Sequence, residues 1–335
     1  MFPARKDPTI YDVAELSGVS ISTISRVLNA PDMVRPETRT RVVEAIDKLG
    51  FVPRAEARAH ALQQTGRIGV ITPFFTAPGF VQRLRGVASA LSKVNYELVI
   101  YTIDSIDRLH GYLSSLPLTR NLDGLVVISA QVEESEAKRL LKHGLQTVLI
   151  EYPHPWLNSV EIDDFAGGRM VGEYLAGKGH HRIAFLGDAD VPEFGIDPIA
   201  LRLSGFRRGL ADAGVSLPDE FVHLARYSQE QMQYRAVELL KLPDPPTAIF
   251  AATDFQALAV MKIAQKLGMR IPADLAVIGF DDLDLADYVD LTTVSQRLDE
   301  SGRVAVEVLL GAIADPSRPP QHVALPLSIV ERSTV

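Results

Sequence analysis

Residues 9–29 read TIYDVAELSGVSISTISRVLN, and this stretch decides how the chain is organised. Apolar residues recur three and four apart behind Thr9, a favourable N-cap, and again behind Ser20. Gly18 separates the two patterns at a point where a tight turn favours glycine. The spacing therefore predicts two short helices joined by a tight turn.

The outer face of the second predicted helix carries Ile21, Ser22, Ser25 and Arg26. Small polar side chains beside one arginine suit a helix lying in a DNA major groove, because a bulky or acidic face would clash with the DNA or repel it. An ordinary amphipathic helix pair fits the spacing equally well. The spacing alone leaves both interpretations open.

Helical spacing continues over 37–49 and stops at Gly50, a common end signal. Three helices of this size predict a small headpiece over residues 1–50. The next segment, 51–67, reads FVPRAEARAHALQQTGR and is rich in helix-forming residues. We interpret it as a linker.

Composition is that of a folded soluble protein without thiol chemistry. The 335 residues are 47% hydrophobic and 23% charged, which suits two or three domains. The absence of cysteine excludes disulfides, thiolate zinc sites and thiol catalysis. No signal-peptide-like or membrane-length apolar run is present. We expect a cytoplasmic protein without membrane contact.

The net charge of −8 is unevenly distributed. Residues 1–64 hold nine Lys or Arg against eight Asp or Glu, and the remainder holds 25 against 34. The headpiece is therefore nearly neutral, so DNA affinity would depend on well-placed contacts, doubled by dimerisation, rather than on a basic stripe.

From residue 68 onwards, short apolar runs alternate with amphipathic helical patterns, which predicts parallel sheets covered by helices. The number of runs suits two lobes better than one sheet. Strands are expected at 68–72, 97–102, 124–128, 147–150, 182–186, 248–251 and 275–278. Helices are expected at about 80–94, 105–116, 133–143, 165–178, 198–213, 229–241, 254–267 and 301–313.

The ordered motifs of the chain resemble the lac-repressor (LacI/GalR) family of bacterial transcription regulators along essentially the whole length. T-I-Y-D-V-A, G-V-S and S-R-V-L-N match the family's headpiece. I-G-V at 68, D-G-L-V-V at 123, R-L-S-G-F at 202 and V-I-G-F-D-D at 277 match its effector-binding body. The resemblance implies an all-α helix-turn-helix headpiece followed by an α/β bilobal body like that of periplasmic sugar-binding proteins.

The same resemblance implies domain boundaries. A hinge helix or linker over 51–67 would connect the headpiece, 1–50, to an effector-binding and dimerisation domain, 68–335. Three crossovers between lobes are expected, near Asp163, Tyr288 and Ser317. They would assign 68–162 and 291–317 to the N-lobe, and 163–290 and 318–335 to the C-lobe.

DNA contacts carry over by motif position. Ile21, Ser22 and Arg26 would face base edges, with Arg26 suited to a guanine and Ile21 limited to a thymine methyl. An ordinary solvated helix surface is the alternative for Ser22. Positions that would steady the headpiece on phosphates are Thr9, Tyr11, Ser20, Thr23, Asn29 and Thr38.

The hinge departs from the family pattern A-R-x-L, whose leucine wedges between base pairs in the minor groove. Here Arg58-Ala59 is followed by His60, and Leu62 cannot substitute because it points to a nearly opposite face. We count Arg58 and His60 among the DNA-contact candidates. Phosphates would favour a protonated His60, so operator affinity would rise as pH falls; a merely tolerated polar residue is the alternative.

Effector candidates combine charged and aromatic side chains, which hold polyols by hydrogen bonds and by stacking. The resemblance assigns Arg202 and Asp281 to the effector. Thr253 and Asp254 begin a helix after a strand, where ligands of open α/β folds bind; for Asp254, an N-cap role is equally open. Candidates that fit either the cleft lining or the lobe core are Phe74, Phe75, Thr76, Trp156 and Phe165.

Catalytic and metal signals are poor. The sequence contains no G-x-S-x-G, P-loop or H-E-x-x-H motif, and adjacent His180 and His181 do not converge on one ion. The acidic run DDLDLADYVD at 281–290 lacks EF-hand spacing and is interpreted as a solvated loop. No cofactor is expected.

The resemblance implies a transcription repressor that binds a pseudo-palindromic operator as a homodimer under control of a small-molecule effector, by default a carbohydrate. A purine or phosphorylated sugar is the next choice of effector. The alternatives are a sugar-binding module without DNA activity and an α/β enzyme.

Overall fold

The computed structural model describes residues 8–29, 33–51, 65–189, 193–226 and 228–335. These residues fall in two compact units, Met1–Thr65 and Gly66–Val335.

The first unit is the predicted three-helix headpiece: α1, Ile10–Ser17; α2, Ile21–Asn29; and α3, Pro36–Leu49. The backbone N–H of Thr9 donates to Asp12 at 2.6 Å, and Gly18 ends α1 with a φ of 66°. Proline at the first position of α3 starts this helix one residue earlier than predicted. The core of the unit is formed by Val13, Ile24, Val27, Val42 and Ala45.

The second unit alternates strands and helices. The strands are β1, Arg67–Thr72; β2, Glu97–Thr102; β3, Gly124–Ile128; β4, Gln146–Ile150; β5, Asn158–Glu161; β6, Ile183–Asp188; β7, Val222–Ala225; β8, Ala248–Ala251; β9, Ala276–Asp281; β10, Thr292–Ser295; β11, His322–Ala324; and β12, Ser328–Val330. The helices are α4, Pro78–Leu91; α5, Ile106–Thr119; α6, Glu134–Lys142; α7, Asp164–Gly177; α8, Pro198–Asp212; α9, Gln229–Leu240; α10, Asp254–Lys266; α11, Asp284–Tyr288; and α12, Leu298–Ala314, with a 3-10 turn at Asp219–Phe221.

The strands form two sheets, one in each lobe. The first has the order β11-β5-β4-β3-β1-β2, and the second β12-β10-β9-β8-β6-β7. All pairings are parallel except that of β12 with β10. Helices cover both faces of the first sheet. On β1, Ile68 and Val70 pack into one apolar core, whereas Ile71 points to the opposite face and packs into another. The predicted bilobal parallel-sheet fold is confirmed.

Two of the three expected crossovers lie elsewhere. β10 pairs with β9, so the chain leaves the second sheet after Ser295 and not near Tyr288. β11 extends the first sheet beside β5, so the return follows Ala324 and not Ser317. Strand β10 escaped detection because its buried residues include Thr292 and Thr293, which break the apolar pattern.

Short elements account for the other differences. The strands β5, β7, β10, β11 and β12, of three or four residues each, were not predicted. The acidic run at 281–290 is not simply a solvated loop, because Asp284–Tyr288 forms α11 and buries Ala286. Polar residues interrupt the apolar run in each of these short elements, whereas β8, which is as short but entirely apolar, was predicted.

Candidate DNA-binding and effector sites

The second helix of the headpiece presents the predicted polar face. Ile24 and Val27 are buried, whereas Ile21, Ser22 and Arg26 are exposed. This division follows from the helical period, which places the apolar residues on one side. The exposed side is therefore available for contact with DNA bases.

Hydroxyl groups gather at the start of α2. The Ser20 hydroxyl lies 2.8 Å from that of Ser22 and 2.9 Å from that of Thr23, and it accepts from the backbone N–H of Thr23 at 3.3 Å. Ser20 therefore caps α2, as predicted. Backbone N–H groups at a helix start attract anions, which suits a phosphate contact.

The remaining candidates of the headpiece are less closely grouped. Thr9 and the 70% exposed Tyr11 lie at the start of α1, and Ser25 and Thr38 are partly buried. Asn29 ends α2, but its side chain lies outside the described residues, as do Arg58 and His60.

Glycines bring helices α7 and α8 of the second lobe close together. A Cβ at Gly168 would lie 1.9 Å from the carbonyl oxygen of Arg202, and one at Gly205 would lie 1.9 Å from that of Phe165. This approach carries the Arg202 side chain to the first turn of α7, where Asp164 is buried.

Arg202 is the centre of a buried charge cluster. Its Nε donates to Asp164 at 2.7 Å, its Nη1 donates to the carbonyl of Ala252 at 2.6 Å, and Nη1 lies 3.8 Å from Asp281. The guanidinium stacks 3.8 Å above the Phe280 ring. Burial lowers the pKa of Arg202, but Asp164 and Asp281 outweigh it, so the pKa is raised and the charge is retained.

Asp281 lies at the carboxyl end of β9 with a φ of 130°, a backbone conformation that side-chain-bearing residues rarely adopt. Its carboxylate accepts from Gln296 Nε2 at 2.5 Å. Burial raises the pKa of Asp281 to about 8, although Arg202 opposes the shift. The carboxyl group therefore keeps its proton to a higher pH than an ordinary aspartate, and in the protonated form it can donate as well as accept a hydrogen bond.

Asp254 does not cap its helix. The cap is Thr253, whose hydroxyl accepts from the backbone N–H of Gln256 at 3.3 Å. The fully buried Asp254 carboxylate accepts from the Thr293 hydroxyl at 2.5 Å and from the Leu283 N–H at 2.8 Å. Both oxygens are thus engaged by β10 and the loop after β9, which fixes that loop in place.

The first lobe contributes charged residues that the sequence analysis missed. Arg83 on α4 is 3% exposed and pairs with Glu151, which also accepts from the Ser129 hydroxyl. Ser129 and Glu151 follow β3 and β4 at their carboxyl ends, with φ values of 52° and 79°. Polar residues directly after parallel strands were the available signal, because ligands of α/β sheets bind at that edge.

The two charge clusters lie within electrostatic reach of each other. Burial raises the pKa of Asp164, Arg202 opposes the shift, and Glu151 of the first lobe adds to it. Arg83 likewise acts on Asp281, helping to lower its pKa against burial. The cleft between the lobes is therefore lined by paired charges from both sides.

The remaining cleft candidates divide into two groups. Phe74, Phe75 and Thr76 follow β1 at the carboxyl edge of its sheet and are exposed, as is Phe165 near the start of α7. Their exposure favours cleft lining over lobe core for these residues.

Trp156 is placed at the wrong edge of the sheet for a cleft residue. It precedes β5, whose four residues span about 13 Å and separate it from the carboxyl edge. It lines a depression of about 500 Å³ together with Pro319 and Pro320. The Lys138 ammonium group lies 5.0 Å from the centroid of the Trp156 ring. This placement disfavours the cleft-lining role for Trp156, which the sequence left open because β5 was not predicted.

Within the described residues, no group of three or more His, Cys, Asp or Glu is placed to hold a metal ion. Among the helices of the described part of the chain, none has the length and apolarity needed to cross a membrane.

Comparison with known proteins identifies the family. Residues 9–54 match the family model of bacterial regulatory proteins, lacI family, and residues 173–335 match a periplasmic binding protein-like domain. Catabolite control protein A of Priestia megaterium is 32% identical over 90% of this chain and 91% of its own length. The chain belongs to the lacI family of bacterial regulatory proteins.

Solved structures of lacI-family regulators agree with this assignment over nearly the whole chain. A lac repressor dimer bound to operator and the anti-inducer ONPF is similar with a TM-score of 0.78, 26% identity and coverage of 98% of this chain and 99% of that one. A complex of the transcriptional regulator CelR with cellobiose is similar with a TM-score of 0.68, 29% identity and coverage of 98% and 100%. These relatives are transcriptional regulators and not enzymes.

Proposed function

We propose that this lacI-family regulator represses transcription by binding a pseudo-palindromic operator as a homodimer, and that a carbohydrate bound between the lobes controls the binding. The observation that carries the proposal is the exposed polar face of α2 in a chain whose body contains a charged cleft. The similar lac repressor, a dimer on operator DNA, and CelR, with its cellobiose, support it.

On DNA, α2 would lie in the major groove of each half-site, with Arg26 on a guanine and Ser22 and Ile21 against neighbouring base edges. The hydroxyl groups of Ser20 and Thr23 would contact phosphate, together with Thr9, Tyr11, Asn29 and Thr38. Arg58 and His60 would act in the minor groove.

In the cleft, the charges favour an uncharged effector. Arg83 and Arg202 are each paired with a carboxylate, Glu151 and Asp164 respectively, and the nearby Asp281 adds no positive charge. The cluster therefore offers no net positive charge to a phosphate group, which favours a free sugar over a phosphorylated one. Its donors and acceptors match hydroxyl groups, and the exposed phenylalanine rings match the C–H faces of a sugar.

The regulatory step would be a change in the angle between the lobes, transmitted through the linker to the paired headpieces. Both states must be accessible, so we expect a coupling free energy of about 1–3 kcal/mol. A regulator acting on an operator works in the cytoplasm and needs no catalytic step.

Selection of bound duplexes from a random library, with the full-length protein at a stated salt concentration, tests the proposal. A pseudo-palindrome of about one and a half to two helical turns is expected. The selected operator then allows candidate sugars to be screened for their effect on its affinity.

Failure to enrich any duplex, with and without a pool of sugars, would contradict the repressor function. Sugar binding detected by calorimetry in that case would favour the binding module without DNA activity. Conversion of a bound sugar, followed by mass spectrometry, would favour the enzyme.

A further inference from the structure

The Arg85 side chain joins the two lobes on the surface of the body. Arg85 lies on α4 of the first lobe and donates to Asp299 through Nε at 2.7 Å and Nη2 at 2.5 Å. The same guanidinium pairs with Asp284, with Nη2 at 3.0 Å from Oδ1. Asp299 lies in the first turn of α12, which packs on the first sheet, whereas Asp284 begins α11 of the second lobe. One arginine therefore holds an acid from each lobe.

A second side chain of α4 supports this contact. Gln82 Nε2 donates to the carbonyl oxygen of Asp282 at 3.4 Å, and Gln82 Oε1 accepts from the N–H of Asp284 at 3.4 Å. Because Gln82 and Arg85 lie three residues apart, they project from the same face of the helix. This face therefore holds the backbone at Asp282 and Asp284 and the carboxylate of Asp284.

Both ends of the contact are close in sequence to cleft residues. Arg83, two residues before Arg85, binds Glu151 in the cleft. Asp281, three residues before Asp284, binds Gln296 and lies beside Arg202. A change at the cleft can thus be transmitted to Arg85 through a single turn of helix on one side and a short loop on the other.

We propose that Arg85 is an interlobe latch, a positioning residue that stabilises the relative orientation of the lobes described here by holding Asp284 and Asp299 together. Its role in regulation rests on the proposed function, since the orientation of the lobes is what the effector would change.

The geometry makes the latch selective for one orientation. Asp299 fixes the guanidinium on its own lobe, so movement of the second lobe changes only the distance to Asp284. Charge-assisted hydrogen bonds weaken steeply with distance and misalignment, and a lobe rotation displaces Asp284 as a rigid part of its lobe. The hydrogen bonds of Asp299 and Asp284 raise the pKa of Arg85, and Arg85 lowers the pKa of Asp284, as expected of a mutually stabilising pair.

The distance between the lobes can be measured directly in the full-length protein, because the chain has no cysteine of its own. Spin labels at Ser89→Cys on α4 and Lys266→Cys on α10 occupy exposed positions on different lobes. Pulsed electron spin resonance then gives the distribution of interlobe distances without DNA or effector.

Arg85→Gln and Asp284→Asn should each shift this distribution, changing the ratio of the two orientations roughly two- to fivefold, the range of an exposed ion pair. The double variant should shift it no further, because each substitution removes the same contact. High salt should shift the parent towards the Arg85→Gln distribution.

Arg169→Gln is the matched control, since exposed Arg169 pairs with Glu173 and Asp212 within the second lobe alone. It should leave the distribution unchanged. Identical distributions for the parent, Arg85→Gln and Asp284→Asn, with all three folded by thermal unfolding, would overturn the latch. Such a result would leave operator selection by the parent unaffected, so the two proposals fail separately.

Discussion

Asp281 shows at the scale of one residue how burial changes chemistry. Its pKa of about 8 lies above the ordinary value of 3.8, so the folded state binds a proton that the unfolded state releases over this range. The stabilisation contributed by Asp281 is therefore fully present below its unfolded pKa. The free energy of unfolding falls as pH rises from about 4 to about 8, with a limiting slope of about 1.4 kcal/mol per pH unit.

We expect Asp281→Asn to remove part of this slope, because asparagine keeps the hydrogen-bonding shape without titrating. Urea unfolding of parent and variant between pH 5 and 8 measures it. The buried Asp254, whose pKa is raised to about 6 by burial, contributes with the same sign and should preserve the remainder. Asp274→Asn is the control, since this exposed acid has a lowered pKa and titrates below the range. Equal slopes for all three proteins would contradict the prediction.

Arg26 is the residue on which the DNA contact depends most. Loss of a bidentate guanine contact costs about 1–3 kcal/mol, so we expect Arg26→Ala to weaken operator binding roughly 5- to 150-fold and to relax preference at one base pair. Titration against the selected operator and against its single-base variants measures both effects. An equal loss on every duplex would instead identify Arg26 as a phosphate contact. Arg208→Ala, at an exposed position on α8 of the body, is the control and should change neither operator affinity nor base preference.

The limits of sequence reasoning are clear from single residues of the cleft. Arg202 and Asp281 could be assigned because they belong to motifs of the family. Arg83 and Glu151 could not, because the pair spans 68 residues and depends on where α4 packs. For Asp254, the sequence could not distinguish a capping role from other roles. The structure shows that Thr253 caps the helix and that Asp254 accepts hydrogen bonds from Thr293 and Leu283.

At the scale of elements, the close packing of α7 on α8 positions Arg202 beside Asp164. A methyl group at Gly205 would collide with the Phe165 carbonyl, which is backbone and cannot move aside without separating the helices. We expect Gly205→Ala to destabilise the protein by about 2 kcal/mol or more and to weaken effector binding through displacement of Arg202. Thermal unfolding and effector titration measure the two effects.

Gly177→Ala, at the end of α7, provides the matched comparison. Its added methyl group would meet nothing within 4 Å, so the substitution should be neutral or slightly stabilising, as expected for alanine in a helix. If the two variants unfold at the same temperature, the close approach at Gly205 is not what holds the helices together.

Strands formed by an uninterrupted apolar run were predictable, and short strands interrupted by polar residues were not. The strands β1, β3 and β8 follow apolar runs that are visible in the sequence. Strand β10 buries two threonines, and β11 is three residues long, yet these two strands fix the second and third crossovers. The undetected β5 also led to the misplacement of Trp156. Boundaries between lobes depend on pairing across the sheet, which local sequence does not encode.

At the scale of the whole molecule, the proposed coupling between effector and operator binding must be reciprocal. If an effector changes operator affinity by some factor, the operator must change effector affinity by the same factor, because the four binding equilibria form a closed cycle. We expect a factor of about 5–150, measured by calorimetric titration of the sugar with and without operator duplex.

The interlobe latch at Arg85 should also affect operator binding. If Arg85 stabilises one orientation of the lobes, Arg85→Gln changes the starting balance, so operator affinity without effector should change while the intrinsic affinity of each orientation does not. The direction of that change tells which function the orientation serves: a weaker operator complex assigns it to the DNA-bound state, and a tighter one to the released state. A factor of one in the calorimetric titration would show that effector and operator binding are not coupled.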